Sequence, residues 1–201
     1  MKTKAVIFDL GNVLVDLDTA KVLERLHIHR DAAADVTAGS AIAERVLHGF
    51  ERGELTTPQF HEEVCRQAQL SIDLTRFCEI YCDMFSPVEV MIEAHAAVRR
   101  RGLPTYIFSN TSELHFTHIR GRYAFMSGFA GYFLSYELGC MKPDAAAYRA
   151  VENGTGFRGG ELLYIDDKLE NTEAGAARGW ATIHHTDPRS TLSRLRELEL
   201  L

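Results

Sequence analysis

Cysteine is scarce and unpatterned in this chain. Cys65, Cys78, Cys82 and Cys140 are the four in 201 residues, with no CxxC pair. Such usage excludes a disulfide scaffold and implies reduced, partly buried thiols in the cytoplasm. Cys78 and Cys82 stand four apart and can share a helix face. Long apolar runs are absent too. The opening "MKTKAVIFDL" holds one short apolar stretch with an acid inside it, so neither a signal peptide nor a membrane span is expected there. Basic clusters are lacking, the longest being Arg99–Arg101, and the net charge is −6. Nucleic acid and acidic membranes are therefore excluded as expected partners. An anionic ligand needs a local device to hold it against that field. No internal repeat appears, and the Ala-rich "RDAAADVTAGSA" is short. His115 and His118 have the i,i+3 spacing of a metal-binding pair, but no third ligand lies near them in sequence.

What is present is an ordinary soluble composition, 46% hydrophobic and 25% charged, sufficient for one large domain or a domain with an insertion. Nearly continuous apolar runs predict strands at Ala5–Phe8, Thr105–Phe108, Tyr132–Leu134, Leu162–Ile165 and Ala181–His184. Helical stretches alternate with them. Val88, Met91, Ile92 and Val98 form one stripe, stopped by Gly102-Leu103-Pro104. Asp144–Glu152 predicts a helix closed by Asn153-Gly154, and Leu169–Arg178 one closed by Gly179. This alternation predicts an α/β fold with a parallel sheet covered on both faces. Between residues 16 and about 90 no strand is expected. Thr57-Pro58 opens one helix there, with Thr57 as N-cap, and Leu74–Met84 predicts another. The expected organisation is a core of residues 1–15 and 91–201, with an all-helical cap inserted at 16–90.

In an open parallel sheet, ligands bind beyond the carboxyl ends of the strands. Asp9 ends the first strand in "VIFDLGNVLV". Ser109 and Asn110 end a second in "YIFSNTSEL", and Asp166 and Asp167 end a later one in "LLYIDDKLEN". Lys142 in "LGCMKPDAAAY" follows another strand. Each alone suits a turn or a cap. Together they place three carboxylates, a hydroxyl, an amide and an ammonium at one sheet edge. Carboxylates that close repel unless a cation joins them. A hard divalent ion such as Mg²⁺ answers that and leaves room for a phosphate, whose remaining charge meets Lys142 and backbone amides.

The four motifs, in this order and across nearly the whole chain, resemble the haloacid dehalogenase superfamily, a Rossmann-like fold whose phosphatases form an aspartyl-phosphate. Within it, "FDLGNV", "RGELT" and "SNT" are similar to the sugar-phosphate phosphatases of the alpha-D-glucose-1-phosphate kind. They are less closely similar to the N-terminal phosphatase domain of soluble epoxide hydrolase. The resemblance implies Asp9 as nucleophile, Ser109 as a phosphate-binding hydroxyl with Asn110 beside it, and Lys142 as the steadying cation. It implies Mg²⁺ held by Asp9, the backbone carbonyl of Gly11 and Asp167, with Asp166 and Asn171 as partners or water-mediated ligands. The implied substrate is a small phosphorylated metabolite such as a hexose 1-phosphate, and the implied state a monomer or homodimer.

One carboxylate is missing. Phosphatases of this superfamily usually carry an acid/base aspartate two residues after the nucleophile, where this chain has Gly11. Such a group is typically worth about 10²–10⁴-fold. An anomeric phosphate has a leaving group that needs less help. Alternatively, Asp16, Asp18, His48 or Glu54 supplies the proton, or the chain is a weak or inactive phosphate-binding module. A dehalogenase needs no such proton, but its halide-handling residues are not recognisable. "HGFERGELTTPQF" is the expected contact segment of the cap, with Arg52 and Glu54 as readers of substrate hydroxyls. "SELHFTHIRGRYAF" after Ser109 fits a segment lining the pocket or, better, an amphipathic surface helix.

Overall fold

A computed structural model describes residues 2–26 and 41–201. Most of the Ala-rich stretch at 30–41 lies outside the described residues.

Five strands form one parallel sheet: β1 (Ala5–Phe8), β4 (Thr105–Ser109), β5 (Gly131–Leu134), β6 (Leu162–Asp166) and β7 (Ala181–His184), in the order β5-β4-β1-β6-β7. The expected strands are all there, two of them one residue longer and one starting a residue earlier. Every residue of β1 is buried, because this central strand packs side chains from both faces. One face meets Val98, Met91 and Met126; the other meets Tyr148, Tyr164 and Trp180. Register is fixed on both sides of β1 by Val6 against Thr105 and Leu163.

Two further strands overturn the expectation of none between 16 and 90. Strands β2 (Val15–Leu17) and β3 (Phe85–Pro87) pair antiparallel, Val15 opposite Pro87 and Leu17 opposite Phe85. They are too short to show alternation, and a proline ends one of them, so nothing in their composition marks them. Between them lie α1 (Thr19–Arg25), α2 (Ala41–Glu51), α3 (Thr57–Ala68) and α4 (Leu74–Tyr81). These helices build their own apolar cluster around Phe50, Phe60, Val64, Phe77 and Ile80. The Phe50 and Phe60 rings stack 4.1 Å apart. Helix α3 begins one residue earlier than predicted. Thr56, not Thr57, is its N-cap, in a capping box with Gln59.

The remaining helices cover the sheet: α5 (Glu89–Arg100), α6 (Glu113–Arg122), α7 (Ser135–Leu138), α8 (Ala145–Thr155), α9 (Leu169–Ala176) and α10 (Pro188–Glu197). Helix α8 runs through the predicted stop at Asn153-Gly154 and ends at Gly156, whose φ is +75°. Gly154 is retained inside it because Phe133 packs where a side chain would stand. Among the described residues, no helix is long and apolar enough to cross a membrane.

Candidate active site

The carboxyl ends of β1, β4 and β6 converge. Asp9 follows β1 directly, and its backbone N–H donates to Ile165 O at 2.8 Å, extending the ladder by one residue. Its Oδ1 accepts from the Leu10 N–H at 2.7 Å and lies 3.0 Å from Lys142 Nζ. One ligand oxygen each from Asp9, Asp166 and Asp167 falls within 4.8 Å of the others.

Lys142 is buried and saturated. Its Nζ donates to Asp166 Oδ2 at 2.6 Å and to Phe108 O at 2.9 Å, beside Asp9. Burial works against the ammonium, but Asp9 and Asp166 outweigh it and hold its pKa above the ordinary lysine value. For Asp9 the balance tips the other way. Burial is the largest influence and drives its carboxyl upward; Lys142 resists, while Asp166 and Asp167 add repulsion.

The two aspartates of "YIDD" are not equivalent. Asp166 Oδ1 accepts from the Lys168 N–H at 2.8 Å and Asn171 Nδ2 at 2.9 Å, while Oδ2 accepts from Lys142 and the Tyr164 hydroxyl. Both oxygens are fully used. Burial opposes its ionisation, yet these donors hold its pKa below the usual value. Asp166, expected as a partner or water-mediated ligand of the metal, anchors Lys142 and the start of α9. Asp167 is only partly buried, and its Oδ2 takes a single long bond, 3.1 Å, from Asn12. Asn171 touches Asp166, as expected of a supporting residue.

Asn110, expected beside the phosphate, holds the backbone of Lys142. Its side-chain amide donates to Lys142 O at 3.0 Å, and its Oδ1 accepts from the Lys142 N–H at 2.8 Å. Both contacts help to place the lysine, and Nδ2 carries a second N–H beyond that bond. The Ser109 hydroxyl is buried and makes only a 3.5 Å contact to the next carbonyl.

Residues 3–179 match the haloacid dehalogenase-like hydrolase family. The chain belongs to this family. It is 27% identical over 200 residues to sesquiterpene phosphatase astK of Aspergillus oryzae, covering 97% of this chain and 96% of that one. It is 21% identical over 190 residues to D-ribitol-5-phosphate phosphatase of Bacteroides thetaiotaomicron, covering 89% and 90%. Among solved structures, a haloacid dehalogenase family enzyme from Bacteroides thetaiotaomicron, crystallised with magnesium and inorganic phosphate, superposes with a TM-score of 0.83. The identity is 19%, over 96% of this chain and 99% of that one. An L-2-haloacid dehalogenase from Xanthobacter autotrophicus shares the fold at a TM-score of 0.63 and 16% identity, over 97% of this chain and 83% of that one.

In this haloacid dehalogenase-like hydrolase, a cavity of about 420 Å³ reaches Leu10 and Gly11, the two residues after Asp9. That is ample for a small-molecule ligand. Leu10, Gly11, Ser109, Asn110 and Thr111 form its floor, and Leu17 and Phe85 of the hairpin one side. Helices α1 to α4 supply a roof that includes Val22, Val46, Phe60, Val64 and Phe77. The polar side chains in the upper wall are few: Thr19, Glu51, Gln67, Tyr81 and His115.

Arg52 and Glu54, expected as hydroxyl readers, are not among the lining residues. Glu54 is exposed, and its Oε2 folds back beside Gly49. From their segment, "HGFERGELTTPQF", Glu51 and Phe60 line the cavity, and motif reading missed Glu51. The named proton sources also lie elsewhere. Asp16 lines a second hollow together with Asn12, Asp167 and Asp187, Asp18 caps α1, and His48 is exposed. His115 and His118 do not join the carboxylates. His115 stacks on Tyr81 at 4.5 Å, and burial pushes its imidazole down to about 3. At Gly11, an added Cβ would stand 3.0 Å from Leu17 Cδ1, so any side chain must displace the flexible end of Leu17.

Proposed function

We propose that this protein is a Mg²⁺-dependent phosphatase acting through an aspartyl-phosphate on the monophosphate of an apolar alcohol. One observation carries the substrate class: the cavity continuous with Gly11 and Ser109 is walled by leucine, valine and phenylalanine. Each methylene buried there contributes about 0.8 kcal/mol. A ring of sugar hydroxyls would meet few partners, at roughly 1–3 kcal/mol for each one left unpaired. The relative named for a sesquiterpene substrate supports this reading. The hexose 1-phosphate implied by sequence resemblance is the second reading, favoured by the ribitol phosphatase relative.

The donor set suits a hard divalent ion: clustered carboxylate oxygens, one of them the open Asp167, with no thiol or imidazole in the cluster. Asp9, Asp167 and the Gly11 carbonyl would hold Mg²⁺. When bound, it offsets the mutual repulsion of the carboxylates and the charge of the phosphate. Asp9 attacks phosphorus in line, with Lys142 holding the carboxylate oriented. The Ser109 hydroxyl donates to a phosphoryl oxygen. Helices α1–α4 serve as the cap, excluding water and selecting the alcohol. The four free cysteines support a cytoplasmic setting.

A screen tests this reading: decyl phosphate, hexose 1- and 6-phosphates, a nucleotide and an acyl phosphate, each with Mg²⁺ and with chelator. Decyl phosphate is expected to show the highest kcat/KM, and chelation is expected to abolish turnover. Preference for the hexose phosphates would support the second reading, and phosphate binding without turnover a binding module. Leu17 offers a finer check, since it lines the cavity while 37% exposed. Leu17→Ser should raise KM for decyl phosphate roughly tenfold, the equivalent of one or two buried methylenes, with kcat and thermal stability nearly unchanged. An unchanged KM would place the alkyl chain elsewhere.

A further inference from the structure

The chain lacks an acid/base carboxylate at Gly11, yet a glutamate lines the same cavity. Glu51 is the last residue of α2 and lines the cavity with Gly11 and Ser109. Its position is built rather than incidental. The Glu51 carbonyl lies 2.6 Å from Ser135 Oγ, and that same oxygen accepts the Thr111 N–H at 2.9 Å. Thr111 is two residues beyond Ser109. One hydroxyl thus ties the end of α2 to the loop that carries the phosphate-binding serine. The turn that follows is pressed onto the same place. Gly53 has φ +73°, and a Cβ there would stand 2.5 Å from Tyr136 O.

We propose that Glu51 is the proton donor and acceptor of the phosphatase reaction, performing from α2 the work that relatives assign to the position of Gly11. This rests on the phosphatase reading above. In the first half-reaction an Asp9 oxygen bonds to phosphorus and the bond from phosphorus to the alcohol oxygen breaks. The Glu51 proton passes to that oxygen, leaving free alcohol, aspartyl-phosphate and a Glu51 carboxylate. In the second, the carboxylate takes a proton from water as the water oxygen attacks phosphorus. Asp9 and inorganic phosphate are released, and Glu51 is again protonated.

The surroundings suit both roles. Burial drives the Glu51 carboxyl up to about 7, with Lys168 and Lys142 pulling it down. An acid and base with a pKa near the working pH transfers protons well in both directions. The other titratable group close to it is Tyr81 of α4, stacked on His115 of α6; burial holds the tyrosine protonated and the histidine neutral.

The test compares wild type and Glu51→Gln, with Mg²⁺, on decyl phosphate and p-nitrophenyl phosphate. The decyl alkoxide needs a proton to leave; p-nitrophenolate does not. Glu51→Gln should lower kcat on decyl phosphate by about 10²–10⁴-fold. On p-nitrophenyl phosphate it should release a burst of one equivalent of p-nitrophenolate and then turn over slowly, because only the water step needs the base. Wild-type activity retained on both substrates, or equal losses on both without a burst, would overturn the assignment. Wild type alone gives a second measurement that needs no variant. With decyl phosphate kcat should fall as pH rises through about 7, and with p-nitrophenyl phosphate it should rise. Parallel profiles would also overturn it. Wild-type turnover with an unaffected variant removes only this assignment, whereas a wild type inactive on every ester removes the phosphatase reading with it.

Discussion

Asp9→Asn is expected to reduce turnover of every phosphate ester by at least roughly 10⁴-fold, about 5 kcal/mol of barrier. An amide oxygen does not attack phosphorus, and neighbouring groups still bind the substrate without transferring its phosphoryl group. The fold should not suffer. Asp9 is a buried carboxylate repelled by Asp166 and Asp167, and burial already drives it toward its neutral form. Neutral Asn keeps the acceptor for the Leu10 N–H. Thermal stability without metal should therefore equal or exceed wild type, while the stabilisation conferred by added Mg²⁺ should shrink, since a charged ligand is gone. Kinetics and melting curves with and without Mg²⁺ check both halves. Residual turnover within tenfold of wild type would contradict a nucleophilic role. A large loss of stability would make Asp9 a structural carboxylate.

Lys142→Met is expected to damage both activity and stability. The ammonium neutralises Asp9 and Asp166, both buried, and also satisfies the Phe108 carbonyl. Removing one partner of a buried ion pair leaves uncompensated charge, typically costing about 3–5 kcal/mol. Urea unfolding should show a loss of that size. Adding Asp166→Asn should recover part of the stability, because the orphaned charge is then removed. It should recover no activity, because Asp9 still lacks its cation. If the double variant is no more stable than the single one, Lys142 matters to the fold through packing against Phe108 and Tyr164 rather than through charge.

The sheet was legible because parallel strands buried on both faces are short continuous apolar runs. The meeting of Asp9 with Lys142 and Asp167 followed from that, since strand ends on one sheet edge are brought together by topology. What stayed hidden depends on contacts between distant segments. The β2–β3 hairpin joins residues about 70 apart through two three-residue strands. Asp166 and Asp167 are neighbours of identical type. Only the placement of Tyr164, Lys142 and Asn171 shows that the first is saturated and the second open. Asn110 carries the chemistry of a phosphate ligand, and only the structure shows that its amide also holds the Lys142 backbone. Glu51 sits one residue from Arg52 in a segment expected to reach the site. Which of these side chains faces inward was decided by docking of the α2 end onto Ser135. The apolar cavity is the least local feature, assembled from the two short strands, helices α1 to α4 and α6, and the loop after β4. Its character argues against a sugar more strongly than any motif argued for one.

The central claim is that the phosphoryl group passes through Asp9, and it can be tested by trapping the intermediate. Enzyme mixed with Mg²⁺ and substrate would be quenched in acid, reduced with borohydride and digested for mass spectrometry. The account predicts homoserine at position 9, formed only when Mg²⁺ and substrate are both present. An unmodified Asp9 under conditions where Glu51→Gln gives its burst, or a phosphoryl group found on another side chain, would contradict it.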